Sequence, residues 1–251
     1  MTDAAIVQQL AGARPIVELA HPRLRPAGAI GVVWRDGHAI AISAHRCALA
    51  SVPEALAELT QLARLDLGDN QLRQLPELPA SLRELYVHDN QLAALPALPA
   101  LRVLDANRNQ LAALPPLADL DFVYLAANRL TGVPACSNVR YLNVGQNPLT
   151  RLAITDAAIR ELRAEHAELV DLELGRLPAL RELALRGNRL AQLPALALPD
   201  LGALDLRGNQ LDELPDLRHL PLTKLDLRWN PLRRPPRWLD ELRARGCMVY
   251  T

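Results

Sequence analysis

A spaced pattern of leucines, completed by an asparagine, recurs along most of this 251-residue chain. Its clearest copy begins at Leu62, with leucine at relative positions 1, 4, 6 and 11 and asparagine at position 9. The copies place this asparagine at Asn70, Asn90, Asn109, Asn128, Asn147, Asn188, Asn209 and Asn230. A unit of about 20 residues cannot enclose its own apolar face, so stability must come from stacking neighbouring copies.

Each copy of the pattern predicts one short strand. Leu65 and Leu67 alternate with Arg64 and Asp66, so the leucines face inward and the charged residues face outward. The asparagine amide can both donate to and accept from backbone groups in the buried turn that follows. This is the leucine-rich-repeat signature. It predicts an α/β repeat solenoid, a right-handed horseshoe with a parallel concave sheet, a mostly extended convex side and helical caps at both ends.

Composition limits the partners. Lysine plus arginine equals aspartate plus glutamate at 28 each, so nothing indicates nucleic acid or an anionic membrane as a partner. The predicted partner is a protein or peptide, bound by a monomer without a cofactor. The N-terminal residues lack the basic and apolar regions of a signal peptide, so a cytoplasmic protein is predicted, with export by a route without a classical signal left open.

Three domain segments are predicted. Residues 1–38 form an N-terminal cap, with a helix to about Ala11, irregular chain from Arg14 to Gly28 and a hairpin that turns at Asp36-Gly37. Residues 39–235 form about ten repeats, the first of them weak, with Cys47 in the asparagine position and a convex helix over 53–59. Residues 236–251 form a C-terminal cap of one helix and one edge strand.

Leucine and proline alternate on the predicted convex side, for example over 75–79 and 95–99. Proline fixes φ and removes a donor, so these segments should be extended. They resemble the bacterial LPX class of leucine-rich repeats, as in type III effectors of enteric pathogens and the novel-E3-ligase family. In that ligase family a separate helical domain carries a Cys-x-Asp motif. Cys136-Ser-Asn is not that motif, so ligase activity is not expected from this chain.

One interval in the array is ambiguous. Asn147 and Asn188 are 41 positions apart, which fits two repeats with Ala167 in the asparagine position. The stretch 155–169 also has the pattern of an amphipathic helix. Because spacings of 20 and 21 keep the phase of the array, a degenerate repeat is favoured over a helical insertion.

Positions 3, 5, 7 and 8 of each copy are predicted to face the concave side. Five of the eight aromatic residues occupy these positions, and exposed aromatics on one surface are typical of protein interfaces. The alternative is that aromatics merely suit strands and stack along the sheet. The predicted partner-binding residues are Tyr86, His88, Asp89, Asp105, Phe122, Tyr124, Tyr141, Arg186, Arg207, Arg228 and Trp229.

The predicted concave face is bipolar, with acidic residues near the aromatic cluster and Arg186, Arg207 and Arg228 near the C-terminal end. A partner of complementary charge would fit it. The alternative is that Asp205 and Asp226 neutralise the arginines and nothing binds there.

Evidence for chemistry is thin. His88 could form a metal or acid–base site with Asp89 and Asp69, but histidines beside surface carboxylates are common, and His45 and His166 are interpreted as isolated. Cys47 is either a buried turn residue or a reactive thiol. With Cys136 and Cys247 it forms no close pair, so no disulfide framework or zinc site is expected. No catalytic or metal-binding residue is predicted.

The sequence thus favours a non-enzymatic protein-interaction module that uses its concave face. The alternative is the substrate-recognition component of a secreted bacterial effector that acts with a catalytic partner.

Overall fold

The computed structural model describes residues 1–156 and 158–251. They divide into two compact units, the first containing Met1–Pro115 and Phe122–Tyr124, the second Pro116–Asp121 and Leu125–Thr251. In chain order the strands are β1 (Ile16–Glu18), β2 (Ile30–Arg35), β3 (His38–Ser43), β4 (Arg64–Asp66), β5 (Glu84–Tyr86), β6 (Val103–Asp105), β7 (Leu117–Ala118), β8 (Phe122–Tyr124), β9 (Cys136–Ser137), β10 (Tyr141–Asn143), β11 (Arg151–Ile154), β12 (Glu161–Arg163), β13 (Asp171–Leu174), β14 (Glu182–Ala184), β15 (Ala203–Asp205), β16 (Lys224–Asp226) and β17 (Met248–Tyr250).

The first unit begins with helix α1 (Asp3–Ala11). The Thr2 hydroxyl caps it by accepting from the Ala5 N–H at 3.3 Å, and the helix ends at Gly12, whose φ of 57° suits glycine. The apolar side chains of α1 are buried, among them Ile6, Val7 and Leu10. The helix therefore begins, ends and buries the face that its sequence predicts.

The hairpin predicted at Asp36-Gly37 is present, with β2 and β3 antiparallel. The prediction of irregular chain over Arg14–Gly28 is wrong for Ile16–Glu18, because β1 in that stretch pairs parallel with β2. This pairing joins residues about 14 positions apart and leaves no local periodic pattern. The predicted cap boundaries, at residues 38 and 235, stay predictions.

Repeat strands of the first unit stack in phase. Strands β3, β4, β5, β6 and β8 are parallel neighbours, and every strand directs one fully buried apolar residue inward. These residues form one row: Ile42, Leu65, Leu85, Leu104 and Val123. The convex helix predicted over 53–59 is a 3₁₀-helix, Glu54–Glu58. Residues 74–79 contain neither helix nor strand, in line with the extended convex side.

The second unit repeats this plan. Strands β10, β12, β14, β15 and β16 are parallel and in phase, and β17 pairs with β16 after helix α2 (Trp238–Ala244). Two small parallel pairs, β7 with β9 and β11 with β13, lie outside this sheet. Both units are stacks of short parallel strands on a leucine core, so the predicted repeat-solenoid fold is confirmed.

The ambiguous interval contains a degenerate repeat. Strand β12 (Glu161–Arg163) pairs with β10 and β14 and buries Leu162. The alternative, a helix over 155–169, is therefore wrong for the described residues of that stretch, while residue 157 lies outside them. The repeat spacing predicted this segment better than the amphipathic pattern did, because a helix there would interrupt the stack of strands.

The repeat asparagines join each turn to the preceding one. Nδ2 of Asn147 donates to the carbonyl oxygens of Leu125 and Val144, both at 2.9 Å, and its Oδ1 accepts from the Leu130 N–H at 3.0 Å. The side chain is buried. The same donor and acceptor pattern recurs at Asn70, Asn90, Asn109, Asn188, Asn209 and Asn230.

Among the described residues, no helix has both the length and the apolar character needed to cross a membrane.

We expect Asn147→Ala to lower the free energy of unfolding by about 2–4 kcal/mol, because it leaves several buried backbone groups without a partner. Urea unfolding followed by circular dichroism measures the change. Gln192→Ala removes an amide from an exposed position of the same unit and should change stability by less than about 0.5 kcal/mol. Equal losses in the two variants would contradict a structural role for the asparagine.

Candidate functional site

The outer face of the first unit's sheet carries two rows of side chains. One row contains Tyr86, Asp105 and Tyr124, the other Glu84, Val103 and Phe122. Adjacent strands lie about 4.8 Å apart, so members of a row are close neighbours. Phe122 is 47% exposed, and both tyrosines are half-buried. The structure therefore places the predicted aromatic residues of this unit on the open face.

Tyr86 is held on both sides by charged neighbours. The Arg64 guanidinium lies 4.1 Å from the ring centroid, and the Tyr86 hydroxyl donates to Glu84 Oε2 at 3.1 Å. Arg64 also forms an ion pair with Glu84. Burial raises the pKa of Tyr86. The ring is thus fixed before any partner arrives, which reduces the entropy cost of binding.

An N-terminal segment covers β4, the strand that precedes this face. Arg64 Nε donates to the Pro22 carbonyl oxygen at 2.9 Å, and Arg25 Nε donates to Asp66 Oδ2 at 2.7 Å. Arg64 and Asp66 are consequently only 8% and 1% exposed. The expectation that they lie open on the concave face is wrong, because the repeat pattern carries no information about a segment 40 residues away.

Asp105 is a half-buried carboxylate on β6. Its Oδ1 accepts from the Asn107 N–H at 3.2 Å, and within residues 1–156 and 158–251 it forms no ion pair. Burial raises the pKa of Asp105, although the Asn107 N–H and two nearby cationic groups oppose this. A positively charged group from a partner would complete the environment of this carboxylate.

Asp89 has the opposite surroundings. Arg108 donates to both of its oxygens, with Nη2 at 2.8 Å from Oδ2, and His88 Nδ1 lies 2.8 Å from the same Oδ2. The hydrogen bonds from Arg108 hold the pKa of Asp89 at about 2. Asp89 is therefore an ionised carboxylate whose charge is balanced by Arg108 and which orients the His88 ring.

The predicted partners of His88 are only partly correct. Asp69 forms an ion pair with Arg46, at 2.7 Å, instead of joining His88. The interpretation of His45 as isolated is wrong, since its ring centroid lies 5.6 Å from that of His88. His45, Gly68 and His88 occupy position 7 of three successive repeats. Reading that column of the sequence would have revealed the pair, because glycine leaves the space between the two rings open.

The predicted arginine ladder lies in the second unit and is largely neutralised. Arg207 pairs with Asp205 at 2.5 Å, and Arg228 pairs with Asp226 at 2.7 Å. Arg186 forms no ion pair in the described parts of the chain. Burial raises the pKa of Asp226, but the hydrogen bonds and charge of Arg228 outweigh it, so the net shift is downward. The ion pairs that this alternative predicts are thus present for two of the three arginines, while the absence of binding stays a prediction.

The same face continues as a shallow polar depression of ≈ 180 Å³, lined by Arg163, Glu182, Asp205, Arg207 and Lys224 among others. Arg163 pairs with Glu182 at 3.0 Å. Tyr141 lies on β10 and is half-buried. Charged groups of both signs therefore line the outer face of this unit.

An exposed apolar cluster lies at the last strands of the second unit. Trp229 is 69% exposed, Met248 54% and Tyr250 40%. The Arg228 guanidinium lies 5.5 Å from the Trp229 ring and 5.1 Å from the Tyr250 ring. The sequence reasoning identified Trp229 but missed the other two residues, because the repeat template does not extend into the cap.

Solved structures show the fold independently. YopM from Yersinia enterocolitica WA-314 is 29% identical with a TM-score of 0.59, over 78% of this chain and 52% of YopM. YopM from Yersinia pestis, described as a leucine-rich effector protein, is 30% identical with a TM-score of 0.60, over 75% of this chain and 60% of that one. The chain has the leucine-rich-repeat fold of these bacterial proteins.

InlJ from Listeria monocytogenes shares the fold at 21% identity, with a TM-score of 0.57 over 78% of this chain and 45% of InlJ. This leucine-rich-repeat chain thus spans between about half and three fifths of the length of these relatives. No protein-family model and no curated protein matches it.

The cysteines of this leucine-rich-repeat chain are protonated at neutral pH. Burial raises the pKa of Cys47 and Cys247, and raises that of Cys136 to about 12. Cys47 occupies an asparagine position, where its N–H donates to Asn70 Oδ1 at 3.1 Å. A protonated thiol is a poor nucleophile, which favours the interpretation of Cys47 as a buried turn residue.

We expect Asp226→Asn to lower the free energy of unfolding at pH 7 by about 1–3 kcal/mol, since hydrogen bonds to charged groups are lost. The folded pKa of Asp226 is depressed. Its contribution is therefore complete above the unfolded pKa of about 3.9 and is lost as pH falls through the lower folded value. Urea unfolding at pH 7 and below pH 4 should show a flatter pH dependence in the variant.

Asp240→Asn is the control for this measurement, because Asp240 pairs with Arg243 at a position where its side chain is 80% exposed. A loss in this variant as large as that of Asp226→Asn would show that burial of the ion pair is unimportant.

Proposed function

We propose that this chain is a non-enzymatic protein-interaction module that binds a protein or peptide on the outer, concave face of its repeat sheet. The single observation that carries the proposal is the row Tyr86, Asp105 and Tyr124 in the first unit. The row combines a half-buried carboxylate, which forms no ion pair among the described residues, with an aromatic residue on either side.

The chemistry of this row selects a basic group. A lysine or arginine side chain of a partner gains a charge-assisted hydrogen bond to Asp105 and cation–π contact with neighbouring rings. Phe122 in the adjacent row adds an exposed apolar surface for the stem of such a side chain. The partner is therefore inferred to present a lysine or arginine beside an apolar residue.

The exposed cluster of the second unit supplies another anchor. Trp229 and Tyr250 are large, amphipathic and exposed, and tryptophan and tyrosine dominate the energetics of protein interfaces. Arg186, which lacks an ion pair in the described residues, offers a carboxylate-binding group on the same unit's outer face. These groups are the inferred contacts for an apolar or acidic part of the partner.

The alternative role, substrate recognition for a secreted effector, uses the same surface. Its support is the similarity to YopM of Yersinia pestis, which is described as an effector protein. In that case the bound protein is the substrate of a catalytic partner. A cytoplasmic location and a monomeric state remain predictions from the sequence.

We expect Phe122→Ala and Trp229→Ala each to weaken binding by about tenfold or more, as at interface hot spots. Wild-type chain first captures partners from lysate for identification by mass spectrometry, and titration calorimetry with the purified partner then gives each dissociation constant. The melting temperature should barely change, since these side chains are 47% and 69% exposed.

Val170→Ala provides a matched control, because Val170 is 57% exposed but lies next to β13, outside the repeat sheet. Equal weakening by all three substitutions would contradict the assignment of the face. A collapse of the melting temperature in Phe122→Ala would instead favour the aromatic residues as a stabilising stack.

Asp105→Asn should separate binding from stability. The substitution removes a charge whose burial opposes folding, while its side-chain oxygen still accepts from the Asn107 N–H. The unfolding midpoint at pH 7 should therefore equal or exceed that of wild type, whereas the purified partner should bind about tenfold more weakly. Unchanged affinity would contradict the basic-group assignment even if the face itself binds the partner.

A further inference from the structure

A second cluster of functional groups lies in the first unit, beside the row described above. One ring nitrogen from each of His45 and His88 and one carboxylate oxygen of Asp66 all lie within 4.8 Å of one another. Both rings are half-buried, and the carboxylate is buried. Two imidazoles and one carboxylate are a donor set that suits divalent transition-metal ions.

Gly68 creates the space for this cluster. It lies between His45 and His88 in position 7 of the stacked repeats, and a Cβ at this residue would come within 2.5 Å of His88 Nε2. The His88 ring therefore lies directly over the glycine. Its Nε2 carries the free lone pair or proton, since Nδ1 is engaged by Asp89 at 2.8 Å.

Outer contacts orient two of the three groups. Asp89 fixes the His88 ring through Nδ1, which is the carboxylate–histidine arrangement that commonly supports metal ligands. Asp66 Oδ2 accepts from Arg25 Nε at 2.7 Å, and Asp66 Oδ1 accepts from the Gly68 N–H at 3.1 Å. Each carboxylate oxygen retains a further lone pair for an ion.

His45 supplies an independent observation. Its Nδ1 is buried and has no hydrogen-bond partner among the described residues. A buried polar nitrogen without a partner is unfavourable, and native structures rarely retain one without a functional reason. A nearby cation would give this ring a partner.

We propose that His45, Asp66 and His88 bind a divalent transition-metal ion, for which Zn²⁺ is the probe. Zinc–nitrogen bonds of about 2.0–2.1 Å place tetrahedral ligand atoms about 3.4 Å apart. The donor atoms, which lie within 4.8 Å of one another, would move closer together to bind the ion. Three protein ligands leave a fourth position for water or a group of a bound partner.

Arg25 limits the metal affinity that is expected of this site. Its guanidinium offsets the charge of Asp66, so the site offers little net negative charge to a cation. The affinity should therefore be weaker than that of a structural zinc site. Binding should be reversible and removable by a chelator.

The test titrates Zn²⁺ into the full chain by calorimetry, under reducing conditions and after chelator treatment. Wild type should bind one ion, and His45→Ala and His88→Ala should each weaken binding at least tenfold. His166→Ala is the matched control. His166 also lies over a glycine, Gly187, but it belongs to no cluster of metal-binding side chains among the described residues. It should bind like wild type.

Two further variants keep the test meaningful if an alanine variant fails to fold. Gly68→Ala retains every ligand but displaces the His88 ring, and the Gly68 backbone is not in the left-handed region. Asp89→Asn removes the carboxylate that orients His88 and should weaken binding about 10–100-fold. Circular dichroism confirms that each variant is folded.

Co²⁺ in place of Zn²⁺ gives a spectroscopic readout. Visible d–d bands without a thiolate charge-transfer band are expected for this imidazole and carboxylate set. The proposal is overturned if wild type binds no ion, if thiolate bands show that cysteines bind it, or if His166→Ala weakens binding as much as His88→Ala. These outcomes do not test the row of Tyr86, Asp105 and Tyr124, which is tested with a protein partner.

Discussion

The buried turn after each repeat strand is the constraint on which the structure depends. Backbone groups there are shielded from water and must find partners, and the amide of a repeat asparagine supplies both a donor and an acceptor. Asn147, for example, binds backbone groups of its own turn and of the preceding turn. Because the bonds reach back one turn, each repeat is fixed in phase with the one before it. Where Ala167 replaces asparagine, the Ala167 N–H is instead satisfied by Asn188 of the next turn at 2.9 Å.

Because the repeats stack in the same register, residues at the same position of successive repeats form a column on the sheet. Within the first unit, one column brings Tyr86, Asp105 and Tyr124 together, and another brings His45 and His88 together across Gly68. No local sequence motif encodes either arrangement. Side chains separated by about 20 or 40 residues become neighbours only through the stack. A repeat solenoid can thus build a site from single residues of successive turns, while the asparagines and leucines that hold the turns together stay unchanged.

The same periodic stacking explains which structural features can be predicted from the sequence. Leucine spacing, the Asp36-Gly37 turn and the phase across the interval before Asn188 are short-range or strictly periodic, so the repeats, the hairpin and the degenerate repeat are predicted correctly. Contacts between segments that share no repeat period are not predicted from the sequence. The pairing of β1 with β2, and the segment from Pro22 to Arg25 that covers Arg64 and Asp66, depend on tertiary packing. The pairing of His45 with His88 could have been read from the column, but not from either residue alone.

The two units differ in how their outer charges are satisfied, and this difference supports the proposed binding face. Asp205 and Asp226 each hold an arginine of the same face, so their carboxylates contribute to stability without a partner. Asp105 has no such cation, and its burial opposes its ionisation. Asp105 accepts a hydrogen bond in its own turn, but burial disfavours its ionised form in the free protein, and a cation from the proposed partner would stabilise that form.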